Sequence, residues 1–135
     1  MHLHTMKTMF RVRYVETDQM GVVHHGNYAT YFEAARIDWL DQIGISYKDM
    51  ESNGIMLPVF HLSCKFYHPL YFDDRFHVLT FIKEKPSARI VLYYEIYNQN
   101  DQLTTVGETT LVFVDAQTRK PVRCPKFVLE KLGFS

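Results

Sequence analysis

Two hydrophobic periods divide the chain. From Tyr28 to Ile43 the large apolar residues recur at Tyr28, Tyr31, Phe32, Ala35, Trp39 and Ile43. That spacing predicts an amphipathic helix with one broad buried stripe. Asn27 reads as its N-cap and Gly44 as its close. Ser46 to Asn53 predicts a short second helix, capped by Ser46 and stopped by Gly54. Beyond Gly54 the period becomes two. Met56 to Tyr71, Arg75 to Glu84, Arg89 to Asn98 and Leu103 to Asp115 read as strands, broken by turns at 72–74, 85–87 and 98–101. Before the helix, Lys7 to Val15 predicts a first strand and 15–26 a loop with two glycines. Pro121 and Pro125 mark an irregular tail, with Lys126 to Leu132 as a last short helix.

This order, one strand, two helices and then four consecutive strands, predicts an α+β domain. A five-stranded antiparallel sheet packs on one long helix. In Arg89 to Asn98 both alternating faces are largely apolar or aromatic. The helix can cover only one of them, so the other calls for a partner, most simply a second copy of the chain.

Composition sharpens this picture. At 135 residues the chain is the size of one ordinary domain, with no repeat or linker. Ten Phe, nine Tyr and one Trp form an aromatic load suited to interfaces as well as cores, and point to a homo-oligomer. The formal net charge is zero, which argues against a nucleic-acid binder. Cys64 and Cys124 form no CxxC pair and read as free thiols. The start MHLHTMKTMF shows neither a long apolar run nor a small-residue cleavage site. No apolar run reaches the ~18 residues of a membrane span. A soluble, cytoplasmic protein is expected.

The candidate chemistry gathers in YVETDQMGVVHHGNYATYFEAAR, Tyr14 to Arg36. Asp18, His25 and Gly26-Asn27 are each weak signals alone. Together they set a carboxylate and an imidazole around a glycine-containing loop that opens onto a helix N-terminus. The amides there carry the positive end of the helix dipole and suit a developing oxyanion. A carboxylate across the loop can act on a carbonyl held there, as general base or as nucleophile. His25 can orient that carbonyl or the carboxylate.

This stretch resembles the N-terminal signature of hot-dog-fold acyl-CoA thioesterases of the 4-hydroxybenzoyl-CoA thioesterase-like family, nearest to the branch that includes the Tol-Pal-associated thioesterases. The matching positions are Tyr14, Glu16, Thr17, Asp18, Gly21, Val23, His25, Tyr28, Glu33, Ala35 and Arg36. His24 and Gly26-Asn27 depart from the common pattern. The resemblance implies a central helix wrapped by the sheet, with two protomers pairing their sheets edge to edge. Homodimers or homotetramers would then carry active sites at the subunit interface. It implies Asp18 as the carboxylate that attacks the thioester or activates water. The backbone amide near Tyr28 would polarise the carbonyl, and His25 would assist. Tyr14, Met20, Gly26, Asn27 and Phe32 would border the substrate, with Lys83 and Arg89 among the basic residues for the coenzyme A phosphates. No cofactor is implied, since water is the second substrate. An acyl carrier protein in place of coenzyme A, or a non-catalytic acyl-binding module of the same fold, are the alternatives.

Rival chemistries are weaker. Glu33 is a second helix carboxylate, but Arg36 three residues on gives it a structural reading. Among seven histidines, His61, Cys64 and His68 are the one candidate metal cluster. Cys64 and His68 would lie about 13 Å apart on an extended strand, too far for one zinc, so no metal is assigned. There is no GxSxG, GxGxxG or P-loop.

Overall fold

The computed structural model describes residues 1–134. Helix α1 (Asn27–Gln42) is the predicted long helix, and its buried side, Tyr28, Tyr31, Phe32, Ala35, Arg36, Trp39 and Leu40, follows the predicted stripe. Its start differs by one step. Gly26 is the N-cap, and Asn27 is the first helical residue. The Asn27 side chain is drawn elsewhere: its Nδ2 donates to the Glu16 carbonyl at 2.8 Å. Gly44 ends the helix at φ +89°, a conformation that favours glycine. Helix α2 (Tyr47–Ser52) is capped by Ser46, which accepts from the Asp49 N–H, and α3 (Lys126–Lys131) closes the chain.

Strands β1 (Leu3–Arg11), β3 (Val59–Phe66), β4 (Arg75–Ile82), β5 (Arg89–Asn98) and β6 (Leu103–Val112) form one antiparallel sheet in the order β1-β4-β5-β6-β3. A two-stranded sheet pairs β2 (Ile55–Met56) with β7 (Val114–Asp115). A long helix in the curve of such a sheet is the hot-dog fold.

Three expectations shift. The first strand begins earlier and stops at Arg11. Tyr14–Glu16 instead forms a 3-10 turn, because Glu16 folds back to accept from the Arg13 backbone N–H. The long strand expected over Met56 to Tyr71 breaks at Pro58 and ends at Phe66, where the Tyr67 and His68 N–H groups both turn to the Thr104 carbonyl. The strand expected over Leu103 to Asp115 breaks at Phe113, whose N–H bonds the Ala88 carbonyl rather than the ladder. In addition, β3 does not neighbour β4; it sits at the far edge, beside β6.

The core lies between α1 and the sheet. Ile90, Leu92, Tyr94 and Ile96 of β5 all face it, each at most 2% exposed. His4 is bound into β1: its carbonyl accepts from the Trp39 indole at 2.6 Å, and its Nε2 bonds the Leu132 carbonyl at 2.7 Å.

Candidate active site

The loop between β1 and α1 is built around Glu16, which is 6% exposed. Its Oε1 accepts from the Arg13 N–H and the Tyr31 hydroxyl, both at 2.8 Å, and its Oε2 from Arg13 Nε at 3.0 Å. Its backbone carbonyl accepts from the His24 N–H at 2.9 Å and from Asn27 Nδ2. One residue thus ties the end of β1, the returning loop and the start of α1 together. Burial and the adjoining Glu16 carboxylate hold the Tyr31 hydroxyl far above its ordinary range, so it remains a donor.

Asp18 lies at the tip of this loop. Thr17 and Val23 bridge below it, and Gly21 turns the chain at φ +78°. The Asp18 Oδ1 accepts from the Met20 N–H at 2.8 Å and from the Val22 N–H at 3.4 Å, an Asx turn that fixes the carboxylate. Among the described residues both side-chain bonds fall on Oδ1, and none on Oδ2.

Asp18, His25 and Tyr28 line one cavity of about 250 Å³, with Val22, Val23, Phe66, Tyr67, His68 and Pro69. His25 and Tyr28 each meet the Phe66 ring edge-on, with centroids 4.9 Å apart. At the helix start, the Gly26 N–H donates to His24 Nδ1 at 3.1 Å, the Asn27 N–H to the His24 carbonyl at 3.0 Å and the Tyr28 N–H to the His25 carbonyl at 3.2 Å. The Tyr28 bond is the longest of the three. Burial raises the Tyr28 hydroxyl above its ordinary value, so it is neutral and can only donate or accept a hydrogen bond.

The other sequence candidates are spread out. Tyr14 and Met20 are exposed and do not line the cavity, Tyr14 standing edge-on to Phe72. Phe32 is wholly buried behind Tyr28. The Arg89 guanidinium lies over the Phe60 ring, 4.6 Å from its centroid, near the start of β3. Lys83 sits 4.1 Å over the Tyr93 ring. It lines a larger cavity of about 440 Å³ on the sheet face away from α1. That cavity holds no helix terminus, and burial pushes the neighbouring Cys64 thiol up to about 11, too high for a ready nucleophile. Chemistry rather than volume therefore selects the smaller cavity. Phe66, Tyr67 and His68, at and just beyond the end of β3, line the cavity without any mark in the sequence pattern. Among the described residues, no group of three or more His, Cys, Asp or Glu side chains is placed to hold a metal ion.

The chain is 33% identical to a putative acyl-CoA thioesterase of Bacillus subtilis, over 92% of this chain and 90% of that protein. It is 35% identical to a chloroplastic acyl-acyl carrier protein thioesterase of Arabidopsis thaliana, over 90% of this chain and 64% of that longer protein. The crystal structure of a DHNA-CoA thioesterase from Staphylococcus aureus superposes with a TM-score of 0.85 at 40% identity, covering 88% of this chain and 80% of that one. Residues 12–132 match the model of the thioesterase-like superfamily, and the chain belongs to that family.

Proposed function

We propose that this protein is a thioester hydrolase that cleaves acyl-CoA to a free carboxylic acid and coenzyme A, with Asp18 as the essential carboxylate. The observation that carries this reading is the shared cavity: a fixed carboxylate with one free oxygen faces the N-terminus of α1 across an aromatic-lined space. The thioester carbonyl takes the Tyr28 N–H, the most weakly held of the three at the helix start, and the helix dipole favours the developing oxyanion there. Asp18 then attacks the carbonyl carbon, or draws a proton from a water that does. The C–S bond breaks and the thiolate leaves; where Asp18 itself has attacked, water then hydrolyses the acyl-Asp18 anhydride, releasing the acid and restoring the carboxylate. A thiolate is stable enough to need no strong general acid. His25 packs on Phe66 at the mouth and orients the carbonyl.

The working unit in this reading is a homodimer, or a homotetramer built from it. Strand β3 is an edge strand with Val59, Phe60, Leu62 and Phe66 all exposed, a surface that a monomer in water rarely leaves bare. Antiparallel pairing of β3 with its copy about a two-fold axis at its middle brings the start of one strand to the end of the other. Phe60 and Arg89 of one protomer then stand beside Phe66 and the Asp18 cavity of the next. That places Arg89 where a coenzyme A phosphate could reach it. Placement in the branch of Tol-Pal-associated thioesterases rests on the Tyr14 to Arg36 motif alone.

The test is thiol release from a panel of acyl-CoAs by the wild type and by Asp18→Asn. A loss of at least about a hundredfold in kcat/KM, roughly 2.7 kcal/mol, is expected. Near-normal activity in the variant would remove Asp18 from the mechanism and make Glu33 the next carboxylate to replace. The nucleophilic role is read by a single turnover in oxygen-18 water: label in Asp18 marks an acyl-Asp18 anhydride opened by water at the Asp18 carboxyl carbon, which a general base never shows. The relative named as an acyl carrier protein thioesterase supports a second reading. Turnover of acyl-ACP with no turnover of any CoA ester would favour it.

A further inference from the structure

The space between α1 and the sheet is layered. Four residues of helix rise about 6 Å and two residues of strand about 6.6 Å, so each turn of α1 sits over a new row of inward-facing strand residues. Tyr28 lies over Phe66 at the cavity. Phe32, one turn deeper, lies over the paired row Cys64, Gly107 and Tyr94. Its ring stacks on Tyr94, with centroids 4.4 Å apart and planes 19° from parallel. Gly107 is its seat. A Cβ at that position would stand 2.3 Å from Phe32 Cζ and 2.6 Å from Cε2. The ring occupies the volume that a side chain at 107 would fill. Phe32 and Ala35 expose nothing, and Arg36 on the following turn is also buried.

Thus the route from the Asp18 cavity along the underside of α1 is closed one turn in. The ring cannot swing aside, because Gly107 lies beneath it, Tyr94 lies against it and the surrounding core is packed. We infer that Phe32, seated on Gly107, is the specificity-determining stop of the acyl site, so that the enzyme takes a compact acyl group, a single ring or a short chain, and rejects a long straight one. This rests on the thioesterase reading above. The aromatic edges of Tyr28, Phe66 and His25 around a space of about 250 Å³ suit a flat or short acyl group for the same reason. Nothing in the layer beyond them is open to a chain of ten or more carbons.

The experiment compares kcat/KM for benzoyl-CoA, butanoyl-CoA and dodecanoyl-CoA in the wild type, in Phe32→Ala and in the milder Phe32→Leu. The wild type is expected to prefer the compact esters by at least about a hundredfold, the upper range of what pocket shape alone achieves. Each variant that folds is expected to shift the ratio toward dodecanoyl-CoA, by at least about tenfold in Phe32→Ala, through a rise in dodecanoyl turnover and not merely a loss of the others. Phe32→Leu keeps most of the core volume and carries the test if the alanine variant is unstable. Wild-type hydrolysis of dodecanoyl-CoA on a par with benzoyl-CoA would overturn the stop, send the acyl chain along the subunit seam and leave the thioesterase reading intact. An unchanged ratio in both variants would also overturn it. Absence of turnover with every ester, by contrast, would sink the acyl-CoA reading itself, and the stop with it.

Discussion

At the scale of single residues, Glu16 shows how one buried carboxylate can hold a whole loop in place. It is buried, it gathers donors from Arg13, Tyr31, His24 and Asn27, and Asp18 lies two residues along the same loop. Glu16→Gln keeps the shape but turns an amide NH₂ toward donors, leaving at least one of them unpaired. An unpaired buried donor costs about 1–3 kcal/mol, so the thermal midpoint should fall. The loop would also loosen, and small displacements of a reacting group are expensive in rate. The expected outcome is kcat lowered at least about tenfold, about 1.4 kcal/mol of activation free energy, with KM changed little, since the acyl cavity is lined elsewhere. Steady-state kinetics beside a melting curve would check it. A fall in melting temperature with unaltered kcat would assign Glu16 to stability alone.

Among the elements, the sheet carries its own pH dependence. On the face away from α1, His77 of β4 stacks on Tyr97 of β5, with centroids 5.3 Å apart. Burial, then the nearby Lys7 charge, lowers its pKa below the ordinary 6.5, against a smaller pull upward from Asp101. The folded state therefore binds the proton less readily than the unfolded chain. The contribution of neutral His77 to stability is complete above about pH 6.5 and is lost as the pH falls through the depressed folded value. Replacing it, His77→Gln, should flatten the slope of melting temperature against pH below 6.5; an unchanged slope would put the acid sensitivity elsewhere. The elements also show what could be read without coordinates. Periodicity alone gave α1 and the three strands β4, β5 and β6, because each carries an unbroken period over many residues. Tyr14 and Val15 read as the end of the first strand because a buried carboxylate at Glu16 capping its own turn leaves no mark on hydrophobic pattern. The breaks at Pro58 and Phe113 fell inside apolar runs, where period two continues while the hydrogen-bond partner changes. The motif located Asp18, His25 and Tyr28, whereas Phe66, Tyr67 and His68 join the cavity only through the wrap of the sheet, which spacing along one strand does not encode.

For the whole molecule, the decisive feature is the unpaired edge of β3. Every residue of the strand except Cys64 is exposed, and its apolar members stand in a row with free backbone groups beside them, a template for another strand. The Asp18 cavity ends at this same edge, at Phe66, while Arg89 and Phe60 lie at its opposite end. A single protomer therefore holds the carboxylate and the cation near opposite ends of β3, and in the proposed dimer an antiparallel copy would unite them. Leu62→Lys places a charge at the middle of the strand, where the two-fold would pass. Leu62 is 42% exposed in the protomer, so the fold should survive while the pairing does not. Sedimentation should show the wild type at a multiple of 16.0 kDa and the variant at 16.0 kDa, with an unchanged circular dichroism spectrum. Thioesterase activity should fall in step with dissociation and recover at high protein concentration, since mass action restores the dimer. A wild type that sediments at 16.0 kDa and hydrolyses acyl-CoA at full rate would show that the cavity is complete within one chain, and would return Arg89 to the plain role of packing against Phe60.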